Sequence, residues 1–170
     1  RGNKDNNIVL ARSRGCHNLA PFVDSNPECP PDQRYKAMGG TGKPGLLAFV
    51  SADGFRWKQL QAEPVITKGA FDSQNLAFWD ETAGVYRAYF RTFTKGVTTA
   101  KVWKPAGYRA IRTATSHDFL KWENEADLTY ENSPVEHLYT NQVAPYFRAP
   151  QILIGFPTRY IERGWSESMR

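Results

Sequence analysis

Of the 17 Asp and Glu residues in this 170-residue chain, three sit in strings crowded with side chains that hold polar ligands. Asp24 lies in "HNLAPFVDSNP", Asp72 in "FDSQNLAFWD" and Glu136 in "EHLYTNQVAPYF". Around them stand His17, Asn18, Asn75, His137 and Asn141, which offer donors and acceptors suited to sugar hydroxyls. Tyr139, Trp79 and Phe22 could supply apolar ring faces, and Arg91 could pair with Glu136 or receive an anionic sugar. Carboxyl groups brought together can divide acid and base roles, provided that one is dry enough to keep its proton. Each residue also has a plainer reading. Asp72 can close a turn after Gly69, Glu136 can be a solvated loop residue, and "VDSNP" is a strong turn signal in itself.

Other chemistries find less support. Cys16 and Cys29 are 13 residues apart and match no metal-ligand spacing, so no metal and no cofactor is expected; two free thiols are favoured slightly over a disulfide. The net charge of +5 is spread over 22 scattered Lys and Arg residues, which argues against nucleic acid as partner. No apolar run reaches the roughly 18 residues of a membrane span, so a soluble protein with no membrane partner is expected. Localisation, whether periplasmic, secreted or cytoplasmic in a bacterium, cannot be read from the N-terminus.

The elements that must position these residues read as all-β. "GLLAFV" (45–50), "VYRAYFRTF" (85–93), "YRAIRTAT" (108–115) and "QILIGFPTRY" (151–160) are short, rich in aromatic or β-branched residues, and bounded by turn formers. No window of a dozen residues keeps a helical period. A repeat organises the strands. "SADGFRW" (51–57) and "SHDFLKW" (116–122) share Ser, Asp and Trp at the same spacing, 65 residues apart. "SHDFLKW" groups a serine, a histidine and an acid, but its repetition marks it as a turn in which Asp118 ties backbone N–H groups and Trp122 packs. Upstream, "NLAPF", "NLAF" and "NQVAPY" open three units, at about 17–64, 71–130 and 136–170, after a lead-in strand at 1–16. Each unit reads as a four-stranded antiparallel sheet, and sheets repeated at this period point to a β-propeller. A β-sandwich with chance similarity is the alternative architecture.

"SHDFLKW" after "RTAT", "FDSQNLAFWDETAGVYRAYF" and "PVEHLYTNQVAPYF" together resemble the blades of five-bladed-propeller glycoside hydrolases, the invertase-like and arabinanase-like enzymes. The resemblance runs from about His17 onward and points to a bacterial propeller group related to these hydrolases. It implies glycosidase activity, with Glu136 as general acid and Asp72 as the carboxylate that stabilises the transition state or tunes the acid. The first unit departs from the pattern, with Gly15 to His17 at the usual place of the base or nucleophile, so Asp24 is the nearest candidate for that role. Hydrolysis needs at least one acid and one carboxylate on opposite faces of the sugar. A propeller that binds carbohydrate without cleaving it, lacking a competent base, is the rival expectation; a protein-interaction scaffold is a third.

Five blades of this size need about 300 residues, and the chain supplies about two and a half. The expectation is a partial propeller completed by further chain or by another copy.

Overall fold

The computed structural model describes residues 6–161 and 163, apart from 12, 42 and 44. Among them there is no α-helix, and every paired strand is antiparallel. The first unit is a sheet of β1 (Ala20–Val23), β2 (Tyr35–Thr41), β3 (Gly45–Ser51) and β4 (Lys58–Gln59), in that order. The second repeats it with β5 (Leu76–Asp80), β6 (Val85–Thr98), β7 (Trp103–Ser116) and β8 (Glu123–Asp127). The third unit holds two pairs, β10 (Ala144–Tyr146) with β11 (Ala149–Ile154), and β9 (His137–Leu138) with β12 (Arg159–Tyr160).

Burial explains why these segments are strands. β3 is buried along its whole length, as a continuous apolar run covered on both faces requires. Leu46 and Ala48 join Met38, Phe71, Ala77, Ala88, Phe90 and Phe119 in the main core, which fills the space between the first two sheets. Leu47 and Phe49 point the other way, onto Leu10, Leu19 and Trp57. The second sheet is likewise covered twice. Its opposite face carries Tyr89 and Ile111 onto Val143, Leu138 and Leu153 of the third unit. A fully buried large apolar side chain contributes about 1.5–3 kcal/mol, so these two seams supply much of the stability.

The repeated heptapeptides form superimposable turns. Ser51 Oγ donates to Asp53 Oδ1 at 3.1 Å and Ser116 Oγ to Asp118 Oδ1 at 3.0 Å. Asp53 Oδ1 accepts from the N–H groups of Phe55 and Arg56 at 2.9 and 2.7 Å; Asp118 Oδ1 accepts from those of Leu120 and Lys121 at 2.8 and 2.7 Å. The bonds from Arg56 and Phe55 hold the Asp53 carboxyl at about 2, and the same kind of bonds, working against burial, hold Asp118 below its ordinary value. Trp57 and Trp122 donate their indole N–H to the carbonyls of Gly54 and Phe119. These last two residues occupy equivalent positions with φ of 77° and 65°, a left-handed conformation natural to glycine and costly for phenylalanine. Phe119 offsets that cost by complete burial against Phe22, Tyr86 and Trp122.

Three expectations change in detail. Residues 13–16, expected within a lead-in strand, hold a 3-10 turn at Arg14–Cys16, because Ser13 Oγ and Ser13 O capture the N–H groups of Gly15 and Cys16. No strand occurs among the other described residues of 6–16. The strand expected at 151–160 divides: β11 ends at Ile154, and after Gly155 and Pro157 the chain re-pairs as β12 with β9. The hairpin of β6 and β7 is longer than expected, running past a bulge at Phe93 and Lys95 to Thr98 paired with Trp103. Cys16 and Cys29 are free thiols.

Candidate functional site

The three unit openings meet through side chains that bond to the next unit's backbone. Asn18, at φ 52°, donates from Nδ2 to Ser73 O at 2.8 Å, and Ser73 Oγ donates to Tyr139 O at 2.6 Å. Asn75 and Asn141, the counterparts of Asn18, are fully buried and turn inward. Asn75 Nδ2 donates to Phe71 O and Ser73 O, fixing the loop that presents Asp72. Asn141 Nδ2 donates to Gln74 O and Tyr89 O, while Gln74 Oε1 accepts from the N–H groups of Asn141 and Gln142. Buried amides with geometry this specific reward one arrangement of the openings and penalise others.

Register on β6 and β7 then builds the site wall. Arg91 opposes Ile111 and Phe93 opposes Arg109, so both arginines stand on the sheet face turned to the third unit. Arg91 is buried and ion-paired with the exposed Asp72 carboxylate. Its guanidinium lies 5.5 Å from the Phe93 ring and 5.4 Å from that of Tyr139. Arg109 lies 5.8 and 5.9 Å from the same two rings and 4.4 Å from that of Tyr160. Burial lowers Arg91 from the usual guanidinium range; Tyr139 opposes that shift and the neighbouring charge of Arg109 adds to it.

His137 Nδ1 accepts the backbone N–H of Arg109 at 3.0 Å, so its proton resides on Nε2. Its ring meets Tyr108 and Tyr160, with centroids 5.1 and 6.0 Å away. Next to it, Glu136 forms an ion pair with Arg159. Glu136, Arg159 and Arg109 line one cavity of about 640 Å³, together with Thr94, Tyr130 and Ser133. Compared with protein-family models, curated proteins and solved structures, the chain finds no counterpart in any of the three.

The sequence candidates therefore divide into two groups. Asp72, Asn75, Arg91, Glu136, His137, Tyr139 and Asn141 belong to one contiguous cluster, with Asn18 tied to it through Ser73. His17 is exposed, and its carbonyl accepts from Gly40 N. Asp24 lies elsewhere. It follows β1, four residues and about 13 Å of strand beyond Ala20, at the end away from Asn18. There its side chain is fully buried, 2.5 Å from Lys36 Nζ, with Tyr86 Oη donating at 2.7 Å and Asn26 N at 2.9 Å. Burial raises its carboxyl, but Lys36, Tyr86 and Asn26 outweigh that and hold it below the ordinary value.

The second-unit equivalent of Asp24 is Asp80, not Asp72. "NLAPFVD" and "NLAFWD" end their strands alike, and Asp80 also ties a turn through the N–H groups of Thr82 and Ala83 while pairing with Arg87. Asp24 is thus a strand-end anchor. Two further expectations change. Arg91 pairs with Asp72 rather than Glu136, and Glu136 takes Arg159. Phe22 and Trp79 pack on Phe119 and Tyr86 at the main core, so neither ring faces the cluster. Arg109, Arg159 and Tyr160 were not singled out by sequence. For Arg109 a signal existed in its register opposite Phe93; Arg159 and Tyr160 depend on the return of β12 to β9.

Proposed function

We propose that the chain forms two blades and part of a third of a five-bladed propeller, and that it serves a glycoside hydrolase. Successive four-stranded antiparallel sheets, each buried on both faces, support the first half of this reading. The single observation that carries the second is the placement of two carboxylates at successive openings. Asp72 and Glu136 stand at opposite ends of one cluster of Arg91, Arg109 and Tyr139, and Glu136 reaches a cavity of ligand size.

In this reading Glu136 gives a proton to the leaving oxygen as the glycosidic bond breaks, water adds to the anomeric carbon and its released proton restores Glu136, and the pair with Arg159 opens as substrate enters. Asp72, kept ionised and oriented by Arg91, holds hydroxyls and stabilises positive charge as it develops on the sugar. His137 presents Nε2–H as a further donor, and Tyr139 a ring face. The test is turnover of aryl glycosides and oligosaccharides by the full-length protein. Activity lost in Glu136→Gln supports the assignment; activity unchanged in that variant removes Glu136 from the mechanism.

A carbohydrate-binding propeller without turnover is the second reading. It is favoured by the placement of Asp24, which leaves Asp72 and Glu136 as the two carboxylates of the cluster among the described residues. Oligosaccharide binding with no hydrolysis by the full-length protein would select it.

A further inference from the structure

The cluster holds three guanidinium groups, Arg91, Arg109 and Arg159, against two carboxylates. Arg91 is matched by Asp72 and Arg159 by Glu136. Arg109 has no carboxylate within ion-pair distance among the described residues, and its Nε is buried without a hydrogen-bond partner. Arg91 Nε, on a side chain only 4% exposed, is also unpartnered. A buried donor left unmade costs about 1–3 kcal/mol, more when it is charged.

The aromatic rings do not remove the mismatch. Phe93, Tyr139 and Tyr160 lie near the Arg109 guanidinium, but rings supply no acceptor in the guanidinium plane, and Nε–H is without one. That plane is what carboxylate and sulfate groups match with two parallel bonds. Arg109 lines the 640 Å³ cavity that Glu136 also lines, with the hydroxyls of Thr94, Ser133 and Tyr130 beside it. An arginine without a carboxylate partner and three hydroxyl-bearing side chains thus border one space.

We infer that this cavity takes an acidic glycan, whose carboxylate or sulfate group is received by Arg109 while the sugar lies beside Tyr130, Thr94 and Ser133. The inference rests on the carbohydrate reading above and names its substrate class. A neutral sugar leaves Arg109 unmatched; an acidic one completes the charge balance of the cluster. Glu136, which lines the same cavity, then repels a misplaced anion and favours the Arg109 side for the acidic group.

Calorimetric titration of the full-length protein with trigalacturonate, a sulfated galactose oligosaccharide and neutral galactotriose tests this. At least one acidic ligand is expected to bind tenfold or more tightly than the neutral one, with the carboxylate and sulfate arms identifying the source of the anion. That preference is expected to weaken between 50 and 500 mM NaCl. Arg109→Gln is expected to reduce acidic binding to the neutral level, and Arg109→Lys, which keeps charge without the fork, to fall between. Should Arg109→Gln not fold, as judged by circular dichroism, Arg109→Lys and the salt series decide. Equal binding of acidic and neutral ligands, or an acidic preference untouched in folded Arg109 variants, overturns the inference and leaves the carbohydrate reading standing. Failure to bind or cleave any oligosaccharide overturns both.

Discussion

Lys36→Met removes one half of a fully buried ion pair. Lys36 Nζ lies 2.5 Å from Asp24 Oδ2, with side chains 3% and 0% exposed. In the variant the Asp24 carboxylate keeps Tyr86 Oη at 2.7 Å and Asn26 N at 2.9 Å but has no counter-charge. Breaking such a pair from one side costs about 3–5 kcal/mol. Asp24→Leu leaves Lys36 with only Cys29 Sγ at 3.2 Å and Gln33 O at 3.4 Å, and a loss of the same order is expected. In a domain of this size about 2–4 °C accompanies each kcal/mol, so each single variant is expected to melt about 6–20 °C lower. The double variant exchanges the pair for apolar volume and is expected within about 2 kcal/mol of the parent.

Proton linkage sharpens the same prediction. Burial alone pulls Lys36 down, but its bonds to Asp24 and Cys29 hold it above the ordinary lysine range, while Asp24 is held below its own. Asp24 therefore contributes stability that is present above its unfolded pKa of about 3.9 and is lost as pH falls through the lower folded value. The Lys36 contribution is present below about 10.4 and is lost as pH rises through its higher folded value. Urea unfolding of the full-length protein, followed by tryptophan fluorescence from about pH 2 to about pH 12, reads both limbs. Single-variant losses below about 1 kcal/mol, or losses that add in the double variant, would refute the ion-pair account.

Phe119→Ala is expected to cost about 3–5 kcal/mol in the same unfolding assay, since a fully buried ring between two sheets is lost while the left-handed backbone remains. Asp118→Ala is expected to cost about 1–2 kcal/mol through its lost turn bonds. Because its folded pKa is lowered, the difference from the parent should close as pH falls through that value. Asn75→Ala is expected to cost about 1–3 kcal/mol by leaving the Phe71 carbonyl without the Asn75 amide, Ser73 O keeping its bond from Asn18, and to weaken oligosaccharide binding by displacing Asp72. A stable Asn75→Ala variant with unchanged binding would exclude that positioning role.

Local chemistry made the scaffold legible. The Ser-Asp-Trp turns follow from side chains bonding to backbone two or three residues away, and such bonds are written in contiguous sequence. The runs in β3, β6 and β7 follow from burial on both faces. Asn18, Asn75 and Asn141 were equally visible as recurring letters at the openings. Long-range partner choice was not. Whether Arg91 meets Asp72 or Glu136 depends on how the second sheet faces the third unit. Asp24 was grouped with the other openings because "VDSNP" lies close to the first one in sequence, while a strand carries it to the opposite end in space. Matching "NLAPFVD" to "NLAFWD" pairs Asp24 with Asp80 and identifies the anchor.

The two seams of the second sheet differ in mechanical kind. Phe119 enters the first seam as a wedge between Phe22, Tyr86 and Trp122, so sliding of one sheet along the other would drive a ring through close-packed neighbours. The second seam is pinned near the opening by Ser73, Gln74 and Asn141, like a door fastened along one edge. The first seam thus resists displacement by packing, and the second adds hydrogen bonds of fixed direction to its apolar contacts. That edge borders the arginine cluster, so the bonds that fasten the third unit also fix where Tyr139 and Glu136 stand relative to Asp72.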